Sequence, residues 1–280
     1  MTDPFPARFA RARSRHGPLV WGVDPSGPLL ERWGLGDDAD GLERFVDVVL
    51  SVAPGTVGLV KPQSAFYERH GWRGIRALTR LVADARASGL LVVLDVKRGD
   101  VGSTNAAYAE SYLGEGAPIE ADALTVHPYL GLAAMGGLVT RAHEAGSCLL
   151  VVTRSSNPEG RPVQTAVDAS GVSVEAALLA EIGRINAALA PGAVGPVGAV
   201  VGPVRGAPRL DLVGAHALLL VPGIGAQGAT PADVGRAFAD CPDRVMACAS
   251  RSLLAFGPDP DHLRDGILAL AGEVRAHLRA

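Results

Sequence analysis

Eight short apolar runs recur along the chain. They are "LVWGVD" (19–24), "VGLVKP" (57–62), "LLVVLDV" (90–96), "ADALTVH" (121–127), "CLLVVT" (148–153), "VGAVVG" (197–202), "ALLLVP" (217–222) and "RVMACAS" (244–250). Each is continuous rather than alternating, the pattern of a parallel strand covered on both faces. Between them the period changes. Residues 41–53, 72–89 and 173–190 carry apolar positions at i, i+3 and i+4, and several of these stretches stop near Gly or Pro, which predicts helices. Eight strands alternating with helices in 280 residues, close to the ~250 typical of the fold, predict an α/β chain folded as one (β/α)8 TIM barrel over 1–280. A doubly wound open sheet is the alternative. The opening "MTDPFPARFARARSRHG" predicts an Arg-flanked amphipathic helix ahead of the first strand. It lacks the apolar core of a secretory signal. The insert 155–171 reads equally well as an active-site loop or as a plain solvent loop.

Composition narrows the picture. Hydrophobic residues make up 48% and charged residues 20%, an ordinary globular balance that excludes disorder. A formal net charge of −3 provides no basic field for bulk nucleic acid, so an anionic ligand needs a local cationic pocket. The longest uncharged run, between Arg184 and Arg205, contains Pro191, Pro196 and Pro203, which fits a loop and a buried strand rather than a membrane span. Cys148, Cys241 and Cys248 are odd in number and widely spaced. That predicts reduced cytoplasmic thiols, with no disulfide frame and no zinc site.

In a (β/α)8 barrel the active site forms at the C-terminal ends of the strands. Those ends carry Asp24, Lys61, Asp95, Lys97, Asp100, His127, Thr153, Ser155 and Ser156. Asp95 and Lys97 lie two apart and share a strand face, and Lys61 enters from the neighbouring strand. Alternating Lys and Asp hold one another's orientation and keep the lysines protonated. A purely structural ion-pair network is the competing reading, but burying several charges for stability alone is unfavourable. "PGIGAQG" (222–228) and "SRS" (250–252) suit a phosphate grip, with glycine N–H groups approaching the anion and Arg251 binding it through two parallel hydrogen bonds. His127 reads equally as a catalyst or as a hydrogen-bonded barrel residue. His216 carries no partner signal. Ser155 and Ser156 have no G-x-S-x-G elbow, which argues against nucleophilic hydrolysis and for hydrogen bonds to a polar ligand edge.

The stretch "DVKRGDVGSTN" (95–105) resembles the D-x-K-x-x-D-[IV]-x-x-T signature of the orotidine 5'-monophosphate decarboxylases. The resemblance extends to Asp24, Lys61, "SSNPEG", "PGIGAQG" and "SR", and "VKPQSAFYE" with "SRS" looks like the longer bacterial, type 2 subfamily. It implies decarboxylation of orotidine 5'-monophosphate to UMP in pyrimidine biosynthesis by a cofactor-free homodimer. Lys97 would then protonate C6, and Asp95 would sit beside the substrate carboxylate. Lys61 would bind ribose hydroxyls and orient Asp95, and Asp24 would also contact ribose. Asp100, Val101 and Thr104 would reach into the partner's site. Ser156 would read the pyrimidine amide edge, Pro222 would line the ring, and Gln227 and Arg251 would hold the phosphate. Ser250 stands where many relatives have Gly, and "GPVRGAP" (202–208) has no counterpart in the resemblance.

Related sugar-phosphate enzymes share D-x-K-x-x-D but bind magnesium with an acidic residue on the second strand. Lys61 stands there instead, and its charge repels a divalent ion. A magnesium-dependent decarboxylase or aldolase and a catalytically silent nucleotide-binding barrel remain the alternatives at this point.

Overall fold

The computed structural model describes residues 3–204, 206–226 and 228–279. Eight parallel strands close into a barrel in sequence order. They are β1 (Leu19–Gly22), β2 (Leu59–Lys61), β3 (Leu91–Arg98), β4 (Ala123–Val126), β5 (Cys148–Arg154), β6 (Val197–Val201), β7 (Leu219–Val221) and β8 (Val245–Ala249). Closure is completed by β1 pairing with β8, Leu19 opposite Ala247. Each apolar run therefore contains a strand; six are trimmed by one to three residues, whereas β3 extends beyond its run to Arg98 and β5 beyond its run to Arg154. Helices occupy Ala39–Val52, Gly71–Ala87 and Val174–Leu189, close to the spans the periodicity predicts. Asp38 caps the first of these by accepting from the Gly41 N–H, and Ser173 caps the last by accepting from Ala176.

The period of two sorts each strand into two cores. Val20, Leu59, Val93, Leu150, Leu220 and Met246 fill the barrel, while Trp21, Val60, Leu94, Leu149, Leu219 and Ala247 pack outward under the helices. The amphipathic opening becomes the helix Phe5–His16, whose Phe5 and Phe9 are buried among the barrel-filling residues. Arg8 on that helix pairs with Asp122 and donates to the Gly146 carbonyl, just ahead of β4 and β5. The helix thus plugs the N-terminal mouth. Full burial of each Phe contributes about 1.5–3 kcal/mol. With that end closed, the open end is the C-terminal one.

The insert after β5 has structure of its own. Short helical turns at Pro158–Gly160 and Arg161–Gln164 fold back so that Gln164 Nε2 donates to Ser155 Oγ at 2.8 Å. Among the described residues, no helix is long and apolar enough to cross a membrane.

Candidate active site

The open end holds a cavity of about 310 Å³, within the ~300–1,000 Å³ usual for small-molecule sites. Asp24, Lys61, Asp95, Lys97 and Arg251 bring charge to its wall, and Ser155 and Ser156 line one side. The inward positions Val152, Val200, Leu220 and Cys248 give it an apolar floor. One face is therefore charged and the other dry, a setting in which fixed charges act strongly.

Asp95 is the centre of the charged face. Its Oδ2 accepts from Lys61 Nζ at 2.9 Å and its Oδ1 from Lys97 Nζ at 2.5 Å. Lys61 is 8% exposed at the side chain and Lys97 40%, so one ammonium is buried behind the carboxylate while the other projects into the cavity. Burial opposes ionisation of Asp95, but Lys61 and Lys97 outweigh it and hold the carboxyl far below the usual range. Burial likewise opposes the charge on Lys61, yet Asp24 and Asp95 raise its pKa above the ordinary lysine value. Burial pushes the Cys248 thiol up to about 12, so the floor beside the row is neutral. Asp24 accepts from the Gln63 N–H at 3.2 Å, which fixes it at the end of β1.

Two residues that the sequence did not single out complete this face. Gln63 Oε1 accepts from Lys97 Nζ at 2.9 Å. Thr125 Oγ1 donates to Asp95 Oδ1 at 2.7 Å and accepts from the Lys97 N–H at 3.0 Å. The signal for both was the alternation. Gln63 lies two beyond Lys61, and Thr125 lies two beyond the barrel-facing Ala123. Thr153 marks the limit of that signal. Its side chain is buried and donates to the Val151 carbonyl, and Val152 is the residue that faces the cavity.

The opposite rim is built from the turn after β7 and the start of a short helix, Arg251–Leu254. Pro222, Gly223, Ile224 and Arg251 line the cavity there. Gly225 has φ of +78°, and a Cβ on it would meet Ser252 Oγ at 2.6 Å, so this turn requires glycine. The Ser250 hydroxyl is buried at the cavity wall without a hydrogen-bond partner. Gln227 lies outside the described residues.

Asp100, Val101 and Thr104 do not join this group. None lines the cavity of its own chain. Asp100 turns back to accept from the Val101 N–H at 2.8 Å, and Val101 and Thr104 are exposed on the helical side of the rim. His127 is also outside the cavity lining, its N–H donating to the Arg98 carbonyl. His216 sits just ahead of β7 with φ of 47°, remote from the open end, where its carbonyl accepts from Asn186.

Comparison with known proteins now fits this geometry. A protein 48% identical over 278 residues, covering 99% of this chain and 99% of its own, is the orotidine 5'-phosphate decarboxylase of Streptomyces coelicolor. The enzyme of the same name from Myxococcus xanthus is 43% identical over 283 residues, covering 99% of this chain and 98% of its own. A crystal structure from Streptomyces avermitilis superposes with a TM-score of 0.93 at 46% identity, covering 100% of this chain and 97% of that one. The orotidine 5'-monophosphate decarboxylase of Methanocaldococcus jannaschii, solved with the inhibitor BMP, shares the fold at 15% identity with a TM-score of 0.63, covering 92% of this chain and 98% of that one. The family model for orotidine 5'-phosphate decarboxylase / HUMPS matches residues 28–260, and the chain belongs to that family.

Proposed function

We propose that this chain converts orotidine 5'-monophosphate to UMP, the step that completes the pyrimidine nucleotide, with no cofactor. The observation that carries the reading is the Lys61–Asp95–Lys97 row, two ammonium groups locked on one carboxylate at the wall of a cavity whose far rim holds Arg251. The full-length relatives of this name support it.

In this reading the C6–carboxylate bond of the substrate breaks, carbon dioxide leaves, and the electron pair stays in the ring plane at C6. The π-system cannot delocalise that pair. Its stabilisation comes from a charge already in place, the Lys97 ammonium, and the Lys97 Nζ–H proton then forms the new C6–H bond. Lys97 is left as an amine that regains its proton from water. Asp95 faces the departing carboxylate while Lys61 and Thr125 hold it still. Lys61 and Asp24 bind ribose, Ser156 reads the amide edge of the base, and Pro222 packs on the ring. Arg251 and Gln227 hold the phosphate, whose binding energy helps fix the reacting end.

Asp100, Val101 and Thr104 serve a second copy of the chain. Their outward placement supports this, as do the exposed Val101, Tyr129 and Leu130 on the same rim, an apolar surface suited to a two-fold contact. The buried, unpaired cysteines support a cytoplasmic location. A spectrophotometric assay of orotidine 5'-monophosphate loss with EDTA present tests the reaction. Turnover unaffected by EDTA is expected. Activity abolished by the chelator would instead point to a magnesium-dependent relative, and UMP binding without turnover to a silent barrel.

A further inference from the structure

The backbone at Lys97 is unusual. It has φ of 46°, a left-handed conformation that among the described residues only His216 shares outside glycine. A side chain strains that conformation, and it persists only where neighbouring contacts impose it. The pairing of β3 with β4 explains how it arises. Leu94 lies opposite Leu124 and the next match is Arg98 opposite Val126, so four steps along β3 span two along β4. The extra residues bulge out of the ladder.

Hydrogen bonds on either side of the bulge are ordinary. Asp95 is anchored on the β2 side, its N–H donating to the Pro62 carbonyl at 3.0 Å and its carbonyl accepting from Ser64 at 3.2 Å. Arg98 is anchored on the β4 side, its carbonyl accepting from His127 at 2.8 Å. Between them the Lys97 N–H goes to a side chain, Thr125 Oγ1. That hydroxyl has one proton, and Asp95 Oδ1 takes it. Thr125 is 1% exposed and β-branched, so its hydroxyl has little freedom to move. One buried oxygen thus ties the main chain of Lys97 to the carboxylate that Lys97 Nζ also grips.

We propose that Thr125 is a positioning residue for the decarboxylation, holding Lys97 in its left-handed conformation so that the ammonium stands at the reacting carbon. This rests on the reading of Lys97 as the proton donor. Thr125 itself makes no new bond with substrate. Without its hydroxyl the Lys97 N–H loses its acceptor, the backbone relaxes toward an ordinary φ, and Nζ withdraws from C6.

The test compares Thr125→Val, which keeps shape and loses the hydroxyl, with Thr125→Ser, which keeps the hydroxyl, in steady-state assays beside wild type. Thr125→Val should lower kcat about 100-fold, the order expected when a reacting group is misplaced by about an ångström, with KM little changed. Thr125→Ser should recover most of the loss. A Thr125→Val enzyme with wild-type kcat would overturn the proposal, as would a rise in KM alone, or equal losses in the Val and Ser variants. If Thr125→Val does not fold, Thr125→Ala against Thr125→Ser makes the same comparison of hydroxyl lost and kept. Wild-type protein without turnover would overturn the decarboxylase reading instead, so the two failures are distinct.

Discussion

Two regions of this molecule are built from the same interaction and use it oppositely. On the surface, arginines of the helix Gly71–Ala87 and the turn before it pair with acids ahead of and along Ala39–Val52: Arg69 with Asp37, Arg73 with Asp40, Arg76 with Glu43, and Arg80 with Glu43 and Asp47. Arg76 is 58% exposed and Asp47 57%. Water screens these pairs, and each is worth about 0–1 kcal/mol. In the barrel mouth, Lys61, Asp95 and Lys97 form a row in which two cations share one anion against an apolar floor. There Lys61 and Asp95 are shielded from water and their desolvation cost is high, so the row is a poor stabilising device. It is instead a fixed field in which Lys61 lies between Asp24 and Asp95 and Lys97 projects into the cavity. Position, rather than pairing chemistry, separates a surface ladder from a buried charged row.

Removing Lys97, the exposed end of the row, should therefore affect rate far more than stability. Lys97→Ala is expected to lower kcat by at least the roughly 10²–10⁴-fold typical of a lost general acid, with UMP affinity changed only modestly. Single-turnover absorbance measurements and calorimetric UMP titration check both halves. A substantial fraction of wild-type kcat would remove Lys97 from the proton-donor role. Arg251 lies on the opposite rim and should act on binding. Arg251→Ala should raise KM for orotidine 5'-monophosphate by roughly 10–100-fold, the value of a charged hydrogen bond of about 1.5–3 kcal/mol. The slow decarboxylation of the phosphate-free nucleoside should hardly change. Equal losses on both substrates would contradict a phosphate-specific contact.

The row has a further acidic candidate, Asp100, which does not line the cavity of its own chain. Mixing inactive Lys97→Ala and Asp100→Asn proteins under conditions that exchange subunits tests whether a partner receives it. A hybrid dimer has one site with both residues intact and one with both defects. Random exchange makes about half the dimers hybrid, so roughly a quarter of wild-type activity should return. No recovery, with exchange confirmed by mass spectrometry, would assign Asp100 to its own subunit.

What could be read ahead of the structure follows the same division. The strands were legible because both of their faces are apolar, and the row was legible because charged residues ended apolar runs. Alternation placed Asp95 and Lys97 on one face, but nothing in the residue types marks the left-handed backbone at Lys97, since it is not glycine. Thr125 passed as ordinary β-branched strand composition, although its hydroxyl links two charged residues. Thr153 misled for a related reason: the register with β6 shifts between Val152 and Arg154, so counting positions to the strand end no longer identifies which side chain faces inward. The helix Phe5–His16 was visible as amphipathic, but that it closes the barrel depends on Phe5 and Phe9 meeting strands far along the chain.

Acid should separate the row from the ladder by degree. Asp95 has its pKa depressed by the two lysines against the opposing effect of burial, so its contribution to stability is complete above the unfolded value of about 3.9 and is lost as pH falls toward the lower folded value. Lys61, with a raised pKa, contributes fully below about 10.4 and loses that contribution only above it. The row is thus intact across neutral pH. Thermal melts of wild type and Asp95→Asn from pH 7 downward should diverge in slope below about pH 4, the wild type falling more steeply. Parallel slopes would mean that Asp95 titrates no lower in the folded protein than in the unfolded chain.

The smallest effect belongs to the ladder, and its smallness is the point. Arg80 has the most partners there, with Glu43 at 3.0 Å, Asp47 at 2.5 Å and Asp84 at 3.4 Å. Yet its side chain is 40% exposed, so water and salt compete for every one of these contacts. Arg80→Ala should cost no more than about 1 kcal/mol, a Tm decrease of roughly 2–4 °C in a chain of this size. Neither kcat nor KM should move, because no ladder residue lines the cavity. Raising NaCl to about 1 M, where the screening length shrinks to about 3 Å, should erase most of the difference between variant and wild type. A loss well beyond this, or one that persists in high salt, would show that Arg80 acts through its packed methylene stem rather than its charge. A matching loss of kcat would show that the two charge systems are coupled through β2 and β3, and the separation of stabilising pairs from reactive ones would have to be abandoned.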